Sequence, residues 1–187
     1  MRELDLSIFR WINGWPEWMN PLFYVLSKGT KMVPVLIILV IAVIFLLRDK
    51  RTRVPTIIAL IAWPIGNEIC DVFKNTFQHL RPCVELADVN LRVEKLTSFG
   101  TISAHSANMM AVAVPFLFRA RKVGYVWLVI AILTGISRIY VGVHYPYQVL
   151  GGWIAGGLVA MGLHFAWQWW ERKKGIEPEE QPESSEV

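Results

Sequence analysis

The chain has 187 residues, 54% of them hydrophobic, and a formal net charge of +4. Ordinary soluble domains are about 45–50% apolar, so this composition excludes a typical soluble enzyme and predicts one membrane domain. The basic residues stand in short runs beside apolar stretches, which favours a role in membrane orientation over nucleic-acid binding. We therefore predict an all-α membrane protein, a bundle of about five transmembrane helices preceded by an N-terminal interfacial segment.

The N-terminal segment, residues 1–30, alternates aromatic and polar residues. Gly14 and Pro16 prevent one continuous helix, so the segment is expected to lie flat in the outer membrane interface. The alternative is that residues 21–26 begin the first span early. Charged residues interrupt the segment, so no cleaved signal peptide is expected.

Five apolar stretches within residues 31–172 predict the transmembrane domain, because about 20 apolar residues cross a bilayer. The predicted spans are 32–47, 54–77, 102–118, 123–139 and 147–170. The second carries Glu68, Asp71 and Lys74, spaced to share one helix face near its far end. Charge compensation of Lys74 is favoured there over a direct catalytic role.

Basic clusters predict the orientation of these spans, since Lys and Arg collect at cytoplasmic ends. The clusters are Arg48, Lys50, Arg51 and Arg53; Arg119, Arg121 and Lys122; and Arg172, Lys173 and Lys174. The segment before the first span and the connections 80–101 and 140–146 then face outward. Residues 173–187, rich in Glu, Pro and Ser, are expected to form a disordered cytoplasmic tail.

Two smaller features leave alternatives open. Cys70 and Cys83 stand in no metal-binding pattern, so two ordinary thiols are favoured over a disulfide. Gly151, Gly152, Gly156 and Gly157 include small-x-x-x-small spacing, which favours close helix packing inside the bundle over a dimer seam.

Three polar groups recur at the outward ends of the spans. They are Lys74 with Arg81; Ser103, Ala104 and His105; and Ser137, Arg138 and His144. Each charge or imidazole alone has an ordinary structural interpretation. Together they supply three cations for phosphate oxygens and two imidazoles for nucleophilic attack and proton transfer, which suits phosphoryl transfer without a metal.

At these residues the sequence resembles the type-2 phosphatidic acid phosphatase superfamily, which also includes vanadium haloperoxidases. The first family motif, Lys, six residues, Arg-Pro, is complete as Lys74, Arg81 and Pro82. The second, normally Pro-Ser-Gly-His, appears as Ile102-Ser103-Ala104-His105. The third, normally Ser-Arg, five residues, His, three residues, Asp, appears as Ser137, Arg138 and His144 but ends in Gln148.

The resemblance implies a role for each matching residue. His144 is the implied nucleophile that forms a phosphohistidine, and His105 the implied acid that protonates the leaving group. The implied phosphate-binding residues are Lys74, Arg81, Ser103, Ala104 and Arg138. The resemblance implies no metal and no cofactor, a monomer or homodimer, and a bacterial cytoplasmic (inner) membrane protein whose active site faces the periplasm or outside.

Gln148 stands where the family has a carboxylate that orients the nucleophile. Its amide oxygen can fix the tautomer of His144 but brings no charge, so Gln148 is an expected catalytic-site residue. Three explanations stay open: reduced activity, an altered residue that traps an inactive form, or a substitute carboxylate. The candidate substitutes are Asp71, Glu68 and Glu94.

The expected activity is removal of a terminal phosphate from a membrane lipid. The resemblance offers undecaprenyl pyrophosphate, lipid A 1-phosphate and phosphatidylglycerophosphate as substrates, with a lean towards the first two. A non-hydrolytic lipid-phosphate binder or translocator that has lost turnover is the alternative from another class.

Overall fold

The computed structural model describes residues 2–176, apart from the side chain of Thr30. The helices are α1 Arg2–Asn13, α2 Asn20–Lys28, α3 Val33–Arg48, α4 Lys50–Phe77, α5 Pro82–Glu85, α6 Ala104–Arg119, α7 Arg121–Tyr140 and α8 Pro146–Lys173. Two short 3-10 turns, Glu17–Met19 and Gly29–Lys31, flank α2. No strand occurs within residues 2–176, so the all-α prediction is confirmed. The predicted disorder at 177–187 lies outside the described residues.

The five predicted spans coincide with α3, α4, α6, α7 and α8. Within the described chain, three helical stretches are long and apolar enough to cross a membrane alone: Lys50–Glu85, Arg121–Tyr140 and Pro146–Lys173. A fourth candidate is the pair Glu17–Lys28 and Val33–Arg48, bent by 58°. Helix α6 has only 16 residues. The protein is therefore a multi-pass helical membrane protein, and the total of five crossings stays a prediction.

Helix α3 presents exposed apolar side chains along its length. It is apolar from Val33 to Leu47, yet in the described structure it contributes no buried side chain. Val33, Ile38 and Phe45 each expose more than three-fifths of their surface. Exposed apolar side chains of this kind suit contact with lipid and not with water.

Helix α6 lies at the centre, packed against α4, α7 and α8. Glycine makes its contact with α8 possible: a Cβ at Gly156 would lie 1.9 Å from the Ala107 carbonyl oxygen, and one at Gly152 would lie 2.4 Å from that of Ser103. The small-residue spacing therefore serves packing inside the bundle. The contact places the N-terminal turns of α6 and α8 side by side.

The N-terminal segment docks onto the connection between α4 and α6. Ion pairs join Arg2 to Glu85 at 2.5 Å, Arg10 to Asp88 at 3.2 Å and Lys28 to Glu94 at 3.2 Å. The buried Asn13 side chain donates to the Asn90 and Tyr140 carbonyl oxygens and accepts from the Asn90 N–H. As predicted, Gly14 and Pro16 lie between two separate helices. The location of the N-terminal segment in the membrane interface stays a prediction.

Cys70 and Cys83 are both buried free thiols in the described structure, so the expectation of two ordinary thiols is confirmed.

Candidate active site

The turn between α7 and α8 carries His144 back towards the end of α7. The backbone N–H groups of Val143 and His144 both donate to the Arg138 carbonyl oxygen, at 3.1 and 3.2 Å. Gly142 has φ +85°, a left-handed conformation that favours glycine, and a Cβ there would lie 2.6 Å from Val89. Pro146 then opens α8 in its first turn, where proline is favoured. The five residues between Arg138 and His144 thus form a hydrogen-bonded turn that brings His144 next to the end of α7.

His144 is held by hydrogen bonds at both ring nitrogens. Its side chain is buried, with the residue 2% exposed. Nδ1 lies 3.0 Å from Gln148 Oε1, and Nε2 lies 2.8 Å from an Arg81 Nη1 donor. The imidazole therefore has a fixed orientation before any substrate arrives.

The Gln148 amide fixes the tautomer of His144. Gln148 Oε1 accepts from the Tyr145 backbone N–H at 3.2 Å, and Nε2 donates to the Leu80 carbonyl oxygen at 3.0 Å. Because a backbone donor lies at one end and a backbone acceptor at the other, the amide can adopt only this orientation. His144 Nδ1 must then carry the proton, and the Nε2 lone pair faces Arg81.

The neutral form of His144 is strongly favoured. Burial lowers the pKa of this imidazole well below 6.5, and the nearby positive charges of Arg81 and Arg138 lower it further. A neutral imidazole with a free lone pair is the nucleophilic form.

Arg81 reaches His144 from the connection between α4 and α6, where backbone carbonyl oxygens accept hydrogen bonds from its guanidinium. Nε donates to the Ser98 carbonyl oxygen at 2.7 Å, Nη1 to that of Val143 at 3.1 Å and Nη2 to that of Phe99 at 3.1 Å. Gly100 makes room for it, since a Cβ there would lie 2.7 Å from Arg81 Cγ. Arg81 is therefore placed as a rigid cation at the nucleophile.

Arg138 is a second buried cation, 3% exposed, at the end of α7. Its Nη1 donates to the Ser27 carbonyl oxygen at 3.1 Å and to the Ser27 hydroxyl. Its Nε is buried and has no hydrogen-bond partner among the described residues. A buried donor without a partner costs about 1–3 kcal/mol, so this N–H suits an anionic ligand.

The second motif forms the N-terminus of α6. Ser103 caps the helix by accepting from the Ser106 N–H at 3.4 Å, and its own N–H donates to the Gln148 carbonyl oxygen at 2.8 Å. Ala104 and His105 follow in the first turn, half-buried. His105 lies within electrostatic range of four cations, which are Arg138, Lys74, Lys31 and Arg81. A helix N-terminus beside these cations is suited to bind phosphate.

Lys74 completes the set on α4. Its Nζ lies 2.7 Å from Asp71 Oδ1, which supports the expected charge compensation. The suggestion that a substitute carboxylate orients the nucleophile is wrong, because Arg81 and Gln148 occupy the ring nitrogens of His144. The proposed substitutes lie elsewhere: Asp71 pairs with Lys74, Glu94 pairs with Lys28, and Glu68 is exposed.

Among residues 2–176, no group of three or more His, Cys, Asp or Glu side chains could hold a metal ion. Metal independence itself stays a prediction.

Sequence reasoning missed three residues of this site. Ser27 holds Arg138, Lys31 adds a cation near His105, and the Tyr147 hydroxyl accepts from Gln148 Nε2 at 3.1 Å. Ser27 belongs to the segment assigned to the membrane interface and Lys31 directly follows that segment, so only tertiary packing brings them to the site. Tyr147 adjoins Gln148 in the third motif, which was the one available signal.

These features define a helical membrane protein with a buried site lined by histidine and arginine side chains. Residues 54–174 match the family profile of the PAP2 superfamily, and the chain belongs to that family. It is 29% identical over 85% of its length to the Bacillus licheniformis bacitracin transport permease protein BcrC, covering 78% of that protein. It is 30% identical to an undecaprenyl-diphosphatase of Sulfolobus acidocaldarius, covering 83% of this chain and 75% of the relative.

A solved structure shows the same fold. The crystal structure of Aquifex aeolicus LpxE superposes with a TM-score of 0.72 at 24% identity, covering 86% of this chain and 94% of that one. The family resemblance drawn from the three motifs is thereby confirmed.

Proposed function

We propose that the protein is a membrane lipid phosphatase that removes the terminal phosphate of a polyprenyl diphosphate such as undecaprenyl pyrophosphate, with His144 as the nucleophile. The observation that carries the proposal is the fixed tautomer of His144, which leaves a lone pair on Nε2 beside two buried arginines. The Sulfolobus relative supports the choice of substrate. Lys31, a cation beyond the three motifs, suits the larger negative charge of a diphosphate.

In the first step, His144 Nε2 attacks the terminal phosphorus while the bond from phosphorus to the bridging oxygen breaks. Arg81 Nη1, which caps Nε2 at 2.8 Å in the resting site, turns its N–H to a phosphate oxygen and frees the lone pair. Arg138 Nε and Lys74 hold the other oxygens. His105 gives its proton to the bridging oxygen, which leaves as the lipid monophosphate.

In the second step, a water molecule attacks the phosphohistidine and gives a proton to His105. The bond between phosphorus and Nε2 breaks, inorganic phosphate leaves, and His144 returns to the neutral tautomer. Through both steps the proton stays on His144 Nδ1 and is donated to the Gln148 amide oxygen.

The proposed location is the bacterial inner membrane, with the site facing outward. The basic clusters lie at the α3–α4 junction, the α6–α7 junction and the end of α8. Because α4 runs from Lys50 to the site end at Phe77, and α6 begins at the site and ends at Arg119, these clusters lie at the opposite end of the bundle from His144.

A panel of purified lipids tests the substrate. Phosphate release is measured in detergent with undecaprenyl pyrophosphate, lipid A 1-phosphate and phosphatidylglycerophosphate, beside the His144→Ala variant. The proposal expects the highest kcat/KM with the diphosphate and none with His144→Ala. Preference for a monoester lipid would reassign the substrate.

The competing function is a lipid-phosphate binder or translocator. It is favoured by the missing carboxylate at Gln148 and by the transport permease among the relatives. Binding of the diphosphate without phosphate release from any lipid would establish it.

A further inference from the structure

A line of hydrogen bonds leads from the nucleophile to the outer surface. His144 Nδ1 lies 3.0 Å from Gln148 Oε1, Gln148 Nε2 lies 3.1 Å from the Tyr147 hydroxyl, and that hydroxyl lies 3.3 Å from His79 Nδ1. His79 and Tyr147 line an open cavity of about 580 Å³ next to the buried site. Both residues fall at spacer positions of the motifs, His79 in the first and Tyr147 in the third, and neither has a role in the steps above.

The direction of these bonds follows from the orientation of the Gln148 amide. Because Nε2 donates, the Tyr147 oxygen must accept, and its own O–H is left to donate to His79 Nδ1. Every donor in the line then points away from His144. Aligned hydrogen bonds of this kind strengthen one another by roughly 10–30% per bond.

Attack by Nε2 creates positive charge on the imidazole, and among residues 2–176 no carboxylate makes a hydrogen bond to it. The negative end of each dipole in the line faces His144. The Gln148 amide, for example, points its oxygen towards His144 and its N–H towards Tyr147. We propose that Tyr147 and His79 are positioning residues that act through the Gln148 amide and take over part of the work of the missing carboxylate. This inference rests on the proposed histidine mechanism.

Packing keeps the Tyr147 ring in place independently of its hydroxyl. The ring stacks on Tyr145 with centroids 6.0 Å apart and meets His79 edge-on at 6.1 Å. The Tyr147 backbone N–H also donates to the Asp5 carboxylate at 2.9 Å. Tyr147→Phe therefore removes the two hydrogen bonds of the hydroxyl and keeps the packing of the ring.

The experiment measures kcat and KM for undecaprenyl pyrophosphate in detergent with the full-length protein. Tyr147→Phe is expected to lower kcat about two- to tenfold with KM unchanged, because the Gln148 amide then loses its hydrogen bond to the Tyr147 hydroxyl. Tyr125→Phe, which removes an exposed hydroxyl from α7, is the matched control and keeps full activity. At position 79, His79→Leu should lower kcat, while His79→Asn, which offers an acceptor near the Nδ1 position, should restore most of it.

A double-mutant cycle separates this role from a structural one. In the Gln148→Asp background the Nε2 donor is gone, so Tyr147→Phe should change kcat by less than twofold. An equal loss in both backgrounds, a change confined to KM, or full activity of Tyr147→Phe in the natural background would each overturn the inference. Failure of the proposed function has a different signature, since phosphate release would then survive His144→Ala or be absent from the unaltered protein.

Discussion

The sharpest perturbation of the site is Gln148→Asp, which adds the negative charge that the family motif has at this position. A hydrogen bond to a charged group contributes about 1.5–3 kcal/mol and a neutral one about 0.5–1.5 kcal/mol. The difference of about 1–1.5 kcal/mol corresponds to a rise in kcat of about five- to tenfold. Loss of the comparable aspartate from a serine-protease triad, about 10⁴ in turnover, sets the upper bound.

The structure also sets a cost for this substitution. Aspartate lacks the N–H groups that Gln148 donates to the Leu80 carbonyl and the Tyr147 hydroxyl. Leu80 lies at the exposed outer surface, so water can replace the lost donor. The comparison variant is Gln148→Glu, which keeps the length but puts an oxygen where Nε2 now lies, 3.0 Å from the Leu80 oxygen. Its gain in kcat should be smaller.

The assay is steady-state phosphate release across pH. Burial and two arginines depress the pKa of His144, and a negative neighbour raises it again. Because the neutral imidazole attacks, activity is lost as pH falls through that pKa, so the acidic limb of kcat/KM should move to higher pH in Gln148→Asp. An unchanged or lower kcat with an unmoved limb would refute the view that Gln148 only fixes the tautomer.

Three further predictions follow from the site and the orientation. Phosphate release should survive EDTA, and loss that Mg²⁺ restores would contradict metal independence. Ser27→Ala removes a hydroxyl acceptor from Arg138 and should lower kcat/KM about two- to tenfold, mainly through KM, whereas the exposed Ser7→Ala should not. A cysteine at Ala87 should react with an impermeant thiol reagent on intact cells and one at Arg51 should not; the opposite pattern would invert the topology.

Much of this fold could be predicted because membrane spans obey few rules. The high cost of charge in hydrocarbon marks the apolar stretches, and each one matches a long helix. The observed helix boundaries differ from the predicted ones where a capping residue sets the helix start. The third span was predicted from residue 102, but α6 begins at Ala104 because Ser103 caps it. Helix α4 begins at Lys50, earlier than predicted, with Asp49 accepting from the Arg51 N–H.

The motifs predicted which residues meet at the site, but not what holds them. The hydrogen bond from Arg138 to the Ser27 hydroxyl joins residues 111 positions apart. The hydrogen bond from Gln148 to the Leu80 carbonyl oxygen joins residues 68 positions apart. No local pattern encodes such contacts. The substitute carboxylate was a wrong alternative because tertiary packing pairs Glu94 with Lys28, while Asp71 pairs with Lys74 one turn along its own helix.

The central claim is that His144 carries the phosphoryl group during turnover. Rapid acid-free quenching of the enzyme with terminally ³²P-labelled undecaprenyl pyrophosphate, followed by peptide mapping, measures this directly. We predict an acid-labile, base-stable label on the peptide that contains His144, formed within one turnover and absent from His144→Ala. Phosphate release from the unaltered protein without protein-bound label, or the same label on His144→Ala, would contradict the account.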